Sequence, residues 1–499
     1  MSDPKDTDEK GGADARKETT GRKPSPSANK KTDAKADAPP TTADTTRTAY
    51  RLPADNPFTN AWKYAGIVGV IGLGGAVFGY TTDAKRFAFS YLFAFLFFLT
   101  IALGSIFFTL IQHLTSAGWS VTVRRTSEFF GRGIFVFALL FVPVWLSMGH
   151  LFPWFHGSAS GHEAPHAEVK SVGAGHEIDP GSPEARQKKI LNVEDRHDDA
   201  ESHAAAGTHE ARRGDPDELI EERVIRGKSP YLNVGFFTGR AIFYFIVWAF
   251  LGLKLFQFST KQDVSRDPKL TVSVQRFSPP AMIFFGLTLT FAAFDWIMSL
   301  LPGWYSTIFG VYIFAGSVVA IHATIIVTTL ALRSTGILTK AINTEHYHDL
   351  GKLLFGFLVF WAYIGFSQFM LIWYAALPEE VTFFHMRWDN GPWKLVSIAL
   401  ILLHFAVPFF LLISRNTKRK MFTLALGASW LIAMHAVDIY WLVMPNYGQA
   451  DFSVHWLDLA CFLGVGGIYL SAVFYGMLGY PLIPIGDPRL PRALQFENA

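Results

Sequence analysis

Apolar residues in this chain gather into ten long stretches with little charge, over 62 to 80, 87 to 112, 133 to 152, 235 to 257, 279 to 301, 305 to 332, 353 to 376, 393 to 414, 421 to 444 and 456 to 479. A helix rises about 1.5 Å per residue and the hydrocarbon layer is about 30 Å thick, so roughly 20 apolar residues suffice to cross it. Backbone amides in lipid must find partners within their own segment, which makes these stretches helices rather than open strands. The pattern predicts an all-α polytopic membrane protein with ten transmembrane helices.

Lysine and arginine then sort the loops. Arg124, Arg125 and Arg132; Lys261, Arg266, Lys269 and Arg276; Arg333 and Lys340; Arg415, Lys418, Arg419 and Lys420; and Arg489 and Arg492 all fall in every second connection or in the C-terminal tail. The alternate loops are poorer, with Lys85 and Arg86 after the first helix, Arg387 in the loop over 377 to 392, and neither residue type from 445 to 455. The positive-inside rule places both termini in the cytoplasm and the long loop over 153 to 234 outside, since long loops cross largely regardless of charge.

Two polar segments lower the mean hydropathy to +0.24 in a chain that is half hydrophobic and 15% aromatic. Residues 1 to 52 mix Lys, Asp, Thr, Ala and Pro without apolar periodicity, which predicts a disordered cytoplasmic tail ahead of a membrane domain over 53 to 499. The segment over 156 to 225 is a His-rich outer loop carrying His156, His162, His166, His176, His197, His203 and His209. Their irregular spacing favours a solvated, pH-responsive linker over a metal site.

Cysteine use limits the chemistry. With Cys461 as the only cysteine, the chain cannot itself ligate an iron–sulfur cluster or attach a c-type haem, so any such centres sit in other chains. No metal site is expected here. His322 with His404 could face each other as haem b ligands, but the two pairs on a repeated spacing that bis-His bundles usually show are missing.

Polar residues inside the spans are the remaining candidates, because an ionisable group there costs about 2.5 to 3.5 kcal/mol on insertion scales. Asp295, His322, His404, His435 and Asp438 form a candidate proton path, with His435 and Asp438 three apart on one helix face. His150, Asp295, Trp304 and Gln368 lie toward the outer side, where a lipid-soluble head group would enter. Each of these residues has a plainer reading as a hydrogen-bonding tie between helices.

Several strings carry a resemblance. FDWIMSLLPGWYSTIFGVYIFAGS from Phe294 to Ser317, HLFPW from His150, KSPYLN from Lys228, GRAIFYF from Gly239 and WYAALPEE from Trp373 resemble the NrfD/PsrC-like quinone-interacting membrane subunits, and most nearly the ActF-type subunit of alternative complex III, a bacterial quinol:cytochrome c oxidoreductase. The resemblance covers about residues 55 to 480. It implies two four-helix bundles, helices two to five and six to nine, flanked by helices one and ten, in the bacterial inner membrane. A quinone such as menaquinone is the implied ligand. The implied partners are a periplasmic iron–sulfur subunit, c-type haem subunits, a related ten-helix ActC-type subunit, small membrane subunits and lipids, with no role for nucleic acid. Whether such a chain handles quinone, protons or both stays open. The alternatives are a proton-coupled secondary transporter and a structural scaffold subunit.

Overall fold

The computed structural model describes residues 50–155, 223–389, 391–448 and 452–497. The tail expected over 1 to 52 and the His-rich segment over 156 to 225 lie almost wholly outside the described residues.

Among the described residues ten helices are long and apolar enough to cross a membrane: α1 (Pro57–Thr82), α2 (Ala84–Leu114), α3 (Val121–Leu146), α4 (Val234–Ser265), α5 (Lys269–Leu300), α6 (Phe309–Ser334), α7 (Thr344–Ala375), α8 (Pro392–Ile413), α9 (Met421–Asn446) and α10 (Trp456–Leu478). The protein is an all-α, multi-pass membrane protein. Helices α2 to α5 pack on one another, as do α6 to α9, and α2 meets α6 along the seam. That seam is close because a Cβ on Gly104 would lie 2.3 Å from the Ser317 carbonyl oxygen. The pair α1 and α10 flanks the first bundle. Gly72 and Gly467 let their backbones approach, since a Cβ on either would come within 2.4 Å of the opposing chain.

Several helices extend beyond their apolar stretches. The third begins at Val121 instead of 133, taking Arg124, Arg125, Glu128 and Arg132 out of the expected loop. Arg124, Arg125 and Glu128 are buried. Hydropathy treats each charge as exposed, whereas here Glu128 lies 2.9 Å from both Arg124 and Arg125, Arg125 reaches Asp263 of α4 at 2.8 Å, and Arg124 reaches Asp487 at 2.9 Å. Beyond Arg132 the third span is irregular, passing through a 3₁₀ turn over Gly133–Phe135 and short helical pieces up to Leu151.

The fifth span begins at Lys269, so Pro279 and Pro280 stand inside a helix rather than at its end. Both rings are exposed, and a proline pair removes two backbone donors without forcing the helix to stop. Helix α7 starts at Thr344 because the Asn343 side chain accepts hydrogen bonds from the Glu345 and His346 amides. The expected loop over 377 to 392 holds a short helix, Pro378–Trp388, that folds back against α7 and α8.

Candidate functional site

Helix α9 presents His435 and Asp438 on one face, both buried. The Asp438 carboxylate accepts from the Tyr312 hydroxyl of α6 at 2.5 Å and from the Trp361 indole N–H of α7 at 3.2 Å. No cation is hydrogen-bonded to it among the described residues. Trp361 also lies against His404 of α8, with ring centroids 4.0 Å apart. Three helices of the second bundle thus meet at one carboxyl group, and α8 joins them through Trp361.

His435 pairs with Thr100 of α2. Its Nε2 lies 2.8 Å from Thr100 Oγ1, and that hydroxyl already donates its single proton to the Phe97 carbonyl at 2.8 Å. With the hydroxyl proton on that carbonyl, Nε2 carries its own proton and donates, and Nδ1 is an acceptor with no partner. Gly316 packs against both groups: a Cβ there would meet His435 Cε1 at 3.1 Å, Nδ1 at 3.4 Å and Asp438 Oδ2 at 3.8 Å.

His404 is fully buried and neither ring nitrogen has a hydrogen-bond partner. It lies in a π-helical turn over Leu400–Ala406. Pro408 explains the widened turn, because a proline ring clashes with the carbonyl four residues earlier, which belongs to His404. Such turns recur at functional positions.

Two of the five expected path residues stand apart. Asp295 is bound by Arg240 of α4 through two hydrogen bonds of 2.8 Å and by the Tyr244 hydroxyl at 2.8 Å, a closed ion pair tying α4 to α5. His322 donates from Nδ1 to the Val318 carbonyl at 2.7 Å and packs between Phe108 and Phe357, with centroids at 5.2 and 5.3 Å. The single connected track expected through all five is replaced by a cluster of Asp438, His435 and His404, with Asp295 and His322 elsewhere.

The residues expected near a head group divide as well. His150 is exposed beyond the end of α3. Trp304, expected toward the outer side near a head group, is buried and stacked on Phe383 at 4.2 Å, while its neighbour Tyr305 is exposed. Gln368 is buried in α7 and lines a crevice beside the short helix, together with Tyr312 and Trp361.

Arg387 of that short helix is buried without an acidic partner among the described residues. It donates to the carbonyls of Phe383, Trp441 and Leu442 and sits 3.7 Å over the Phe383 ring. Burial pushes its guanidinium down to about 9. Sequence reasoning passed over Arg387, Tyr312, Trp361, Thr100 and Arg240. Only Arg240, inside the predicted span 235 to 257, carried a signal as strong as that of Asp295.

Among the described residues no three His, Cys, Asp or Glu side chains gather as a metal site. The chain matches no protein-family model, and no curated protein matches it.

Proposed function

We propose that this chain is an inner-membrane subunit of a quinol:cytochrome c oxidoreductase, or of an enzyme using another periplasmic acceptor. In this reading its second bundle conducts protons while electrons pass through iron–sulfur and haem centres of partner subunits. The observation that carries the reading is Asp438. A buried carboxyl held only by a hydroxyl and an indole can gain or lose a proton without breaking an ion pair, which Asp295 cannot do. The unpartnered Nδ1 of His435 and the unpartnered ring of His404 offer further sites for a proton in the same cluster. Respiratory identity rests on the sequence resemblance, and the cluster supports the proton role within it.

Asp438→Asn keeps the shape, with the amide oxygen accepting from Trp361 and the NH2 donating to the Tyr312 hydroxyl, but removes the titrating group. The assembled complex is expected to form and its turnover, or the accompanying proton release, to fall at least tenfold, about 1.4 kcal/mol on the barrier. Unchanged turnover per assembled complex would reduce Asp438 to a helix tie. The native complex is expected to bring down an iron–sulfur subunit, c-type haem subunits and a second ten-helix subunit. Recovery of the chain alone as an active solute carrier in liposomes would overturn the respiratory reading.

Orientation follows from the loop charges. A cysteine at Ser182 is expected to react with an impermeant thiol reagent from the periplasmic side and one at Asn416 only after the membrane is opened. Cys461 is buried and leaves little background. Opposite sidedness would reverse both termini.

A further inference from the structure

Helix α8 carries two kinds of turn in series. Over Leu400–Ala406 it is π-helical, and over Val407–Ile413 it is α-helical. The register changes where the chain has a proline, and the backbone hydrogen bonds there can be followed one by one. The Val407 amide donates to the Leu402 carbonyl, five residues back. The next amide in that pattern would come from residue 408 and serve the Leu403 carbonyl, but Pro408 has no N–H. In a bilayer a carbonyl left without a donor is costly.

The missing donor comes from another helix. The Trp430 indole N–H of α9 donates to the Leu403 carbonyl at 2.7 Å. Trp430 is 39% exposed, and its single donor is used by this bond, so it donates to none of Asp438, His435 and His404. In an ordinary α-helix Val407 would instead serve Leu403, four residues back, and the carbonyl left short would be that of His404. Pro408 thus leaves one carbonyl without a donor in either register. In the π register it is the carbonyl that Trp430 reaches.

The register decides where His404 points. A π-turn holds about one residue more than an α-turn, so straightening it turns His404 relative to the rest of α8 by up to one residue, roughly 100°. As folded, the His404 ring lies on Trp361 with centroids 4.0 Å apart, and Trp361 donates to Asp438. We propose that Trp430 is a positioning residue: its hydrogen bond to Leu403 holds α8 in the π register and so keeps the His404 ring on Trp361, inside the cluster around Asp438. Trp430 acts through the backbone and carries no proton itself. The importance of that placement rests on the proton role proposed above, whereas the hydrogen bonds that fix the register do not.

The test uses the native complex carrying Trp430→Phe, which keeps an aromatic ring and removes the donor. Its cryo-EM structure is expected to show Val407 donating to Leu403 and the His404 ring off Trp361, and its turnover per assembled complex to fall by about fivefold or more. Trp430→Phe combined with Pro408→Ala supplies a backbone amide at 408, so an α-helical turn there has no orphan carbonyl. That double variant is expected to straighten, to regain the wild-type thermal midpoint and to stay slow, a separation that a helix tie does not produce. It also keeps the test decisive if Trp430→Phe alone does not assemble. Trp145→Phe is the matched control, since that indole is 41% exposed and donates to Thr238 of α4 at 3.0 Å; turnover should be unchanged.

Two results would each overturn the proposal: a π-turn that persists with His404 on Trp361 in either variant, or normal turnover in either variant once the turn has straightened. Asp438→Asn measured alongside tells this failure from failure of the proton role. A slow Asp438→Asn complex leaves that role standing without Trp430, and normal turnover in Asp438→Asn removes the role itself.

Discussion

In the first bundle every acid within a span meets an arginine: Asp295 meets Arg240, Asp263 meets Arg125, and Glu128 lies between Arg124 and Arg125. At the centre of the second bundle the corresponding groups are uncompensated. Asp438 meets a hydroxyl and an indole and His404 meets an aromatic face, while Arg387, in the short helix beside the bundle, meets carbonyls and the Phe383 ring. Charge in the first bundle is cancelled locally and serves to join helices. Glu345 and Asp349 of α7 are likewise paired, with Arg419 and Lys352, but charge at the centre of the second bundle depends on whether a proton is present, and groups of that kind are the ones a membrane protein keeps for use.

The largest expected effect tests the structural side of this contrast. Asp295→Ala leaves Arg240 buried with its acid gone, and breaking such a pair is expected to cost about 3 to 5 kcal/mol, read as lost yield or a collapsed thermal midpoint. The double change Asp295→Leu with Arg240→Met removes both charges and should recover most of the loss. If Asp295→Asn instead folded normally and abolished turnover, the first bundle would be a working site and the contrast would fail.

Asp438→Asn is expected to behave in the opposite way. Asn can accept from the Trp361 indole through its oxygen and donate to the Tyr312 hydroxyl through its NH2, so stability should change by about 1 kcal/mol while turnover falls at least tenfold. Thermal midpoint and specific activity measured on the same preparation separate the two bundles directly. A large loss of stability with normal specific activity would move Asp438 into the class of Asp295.

How far this contrast could be read beforehand depends on what pays for burial. The spans were legible because apolar length is a local property, and Asp438, His435, His404 and Gln368 were legible because polar residues there are conspicuous. The start of α3 was not, since the charges of Arg124 and Arg125 are cancelled by Asp487 and Asp263, far away in sequence. Tyr312 and Trp361 escaped for another reason. In a chain with 16 tyrosines and 14 tryptophans, nothing local marks the two that touch a carboxylate. Asp295 was conspicuous by the same rule as Asp438, and only the position of Arg240 separates their roles.

Asp487, beyond α10, gives a smaller effect with a definite sign. Burial alone would raise its carboxyl, but Arg124 and Arg489 outweigh this and hold it well below the usual carboxylate range; His113 also faces it. A folded-state value below the unfolded one, about 3.9, means that its stabilisation is full above that pH and is lost as the pH falls toward the lower folded value. The thermal midpoint of the wild type should exceed that of Asp487→Asn at pH 6, and the gap should narrow as the pH drops below about 4. The gap should be smaller than for Asp295→Ala because Arg124 retains Glu128. A gap independent of pH would show that the contact acts through packing rather than charge.

The smallest expected effect concerns His322, the one titratable residue near the seam that belongs to neither pattern. Its Nδ1–H is used by the Val318 carbonyl one turn back in its own helix, so it bridges no second helix through that bond. Phe108 packs edge-on against the ring and Phe357 stacks on it, which separates it from Asp438 by apolar contacts. His322→Leu removes a hydrogen bond confined to one helix and keeps the apolar packing, so stability should shift by about 1 kcal/mol or less and turnover by less than twofold. A proton route through the seam would need an ionisable or hydroxyl group here, and replacing it would then cost at least the tenfold expected of Asp438. Turnover of His322→Leu per assembled complex decides the point: a small change confines proton handling to Asp438, His435 and His404, and a tenfold fall would extend the path across both bundles.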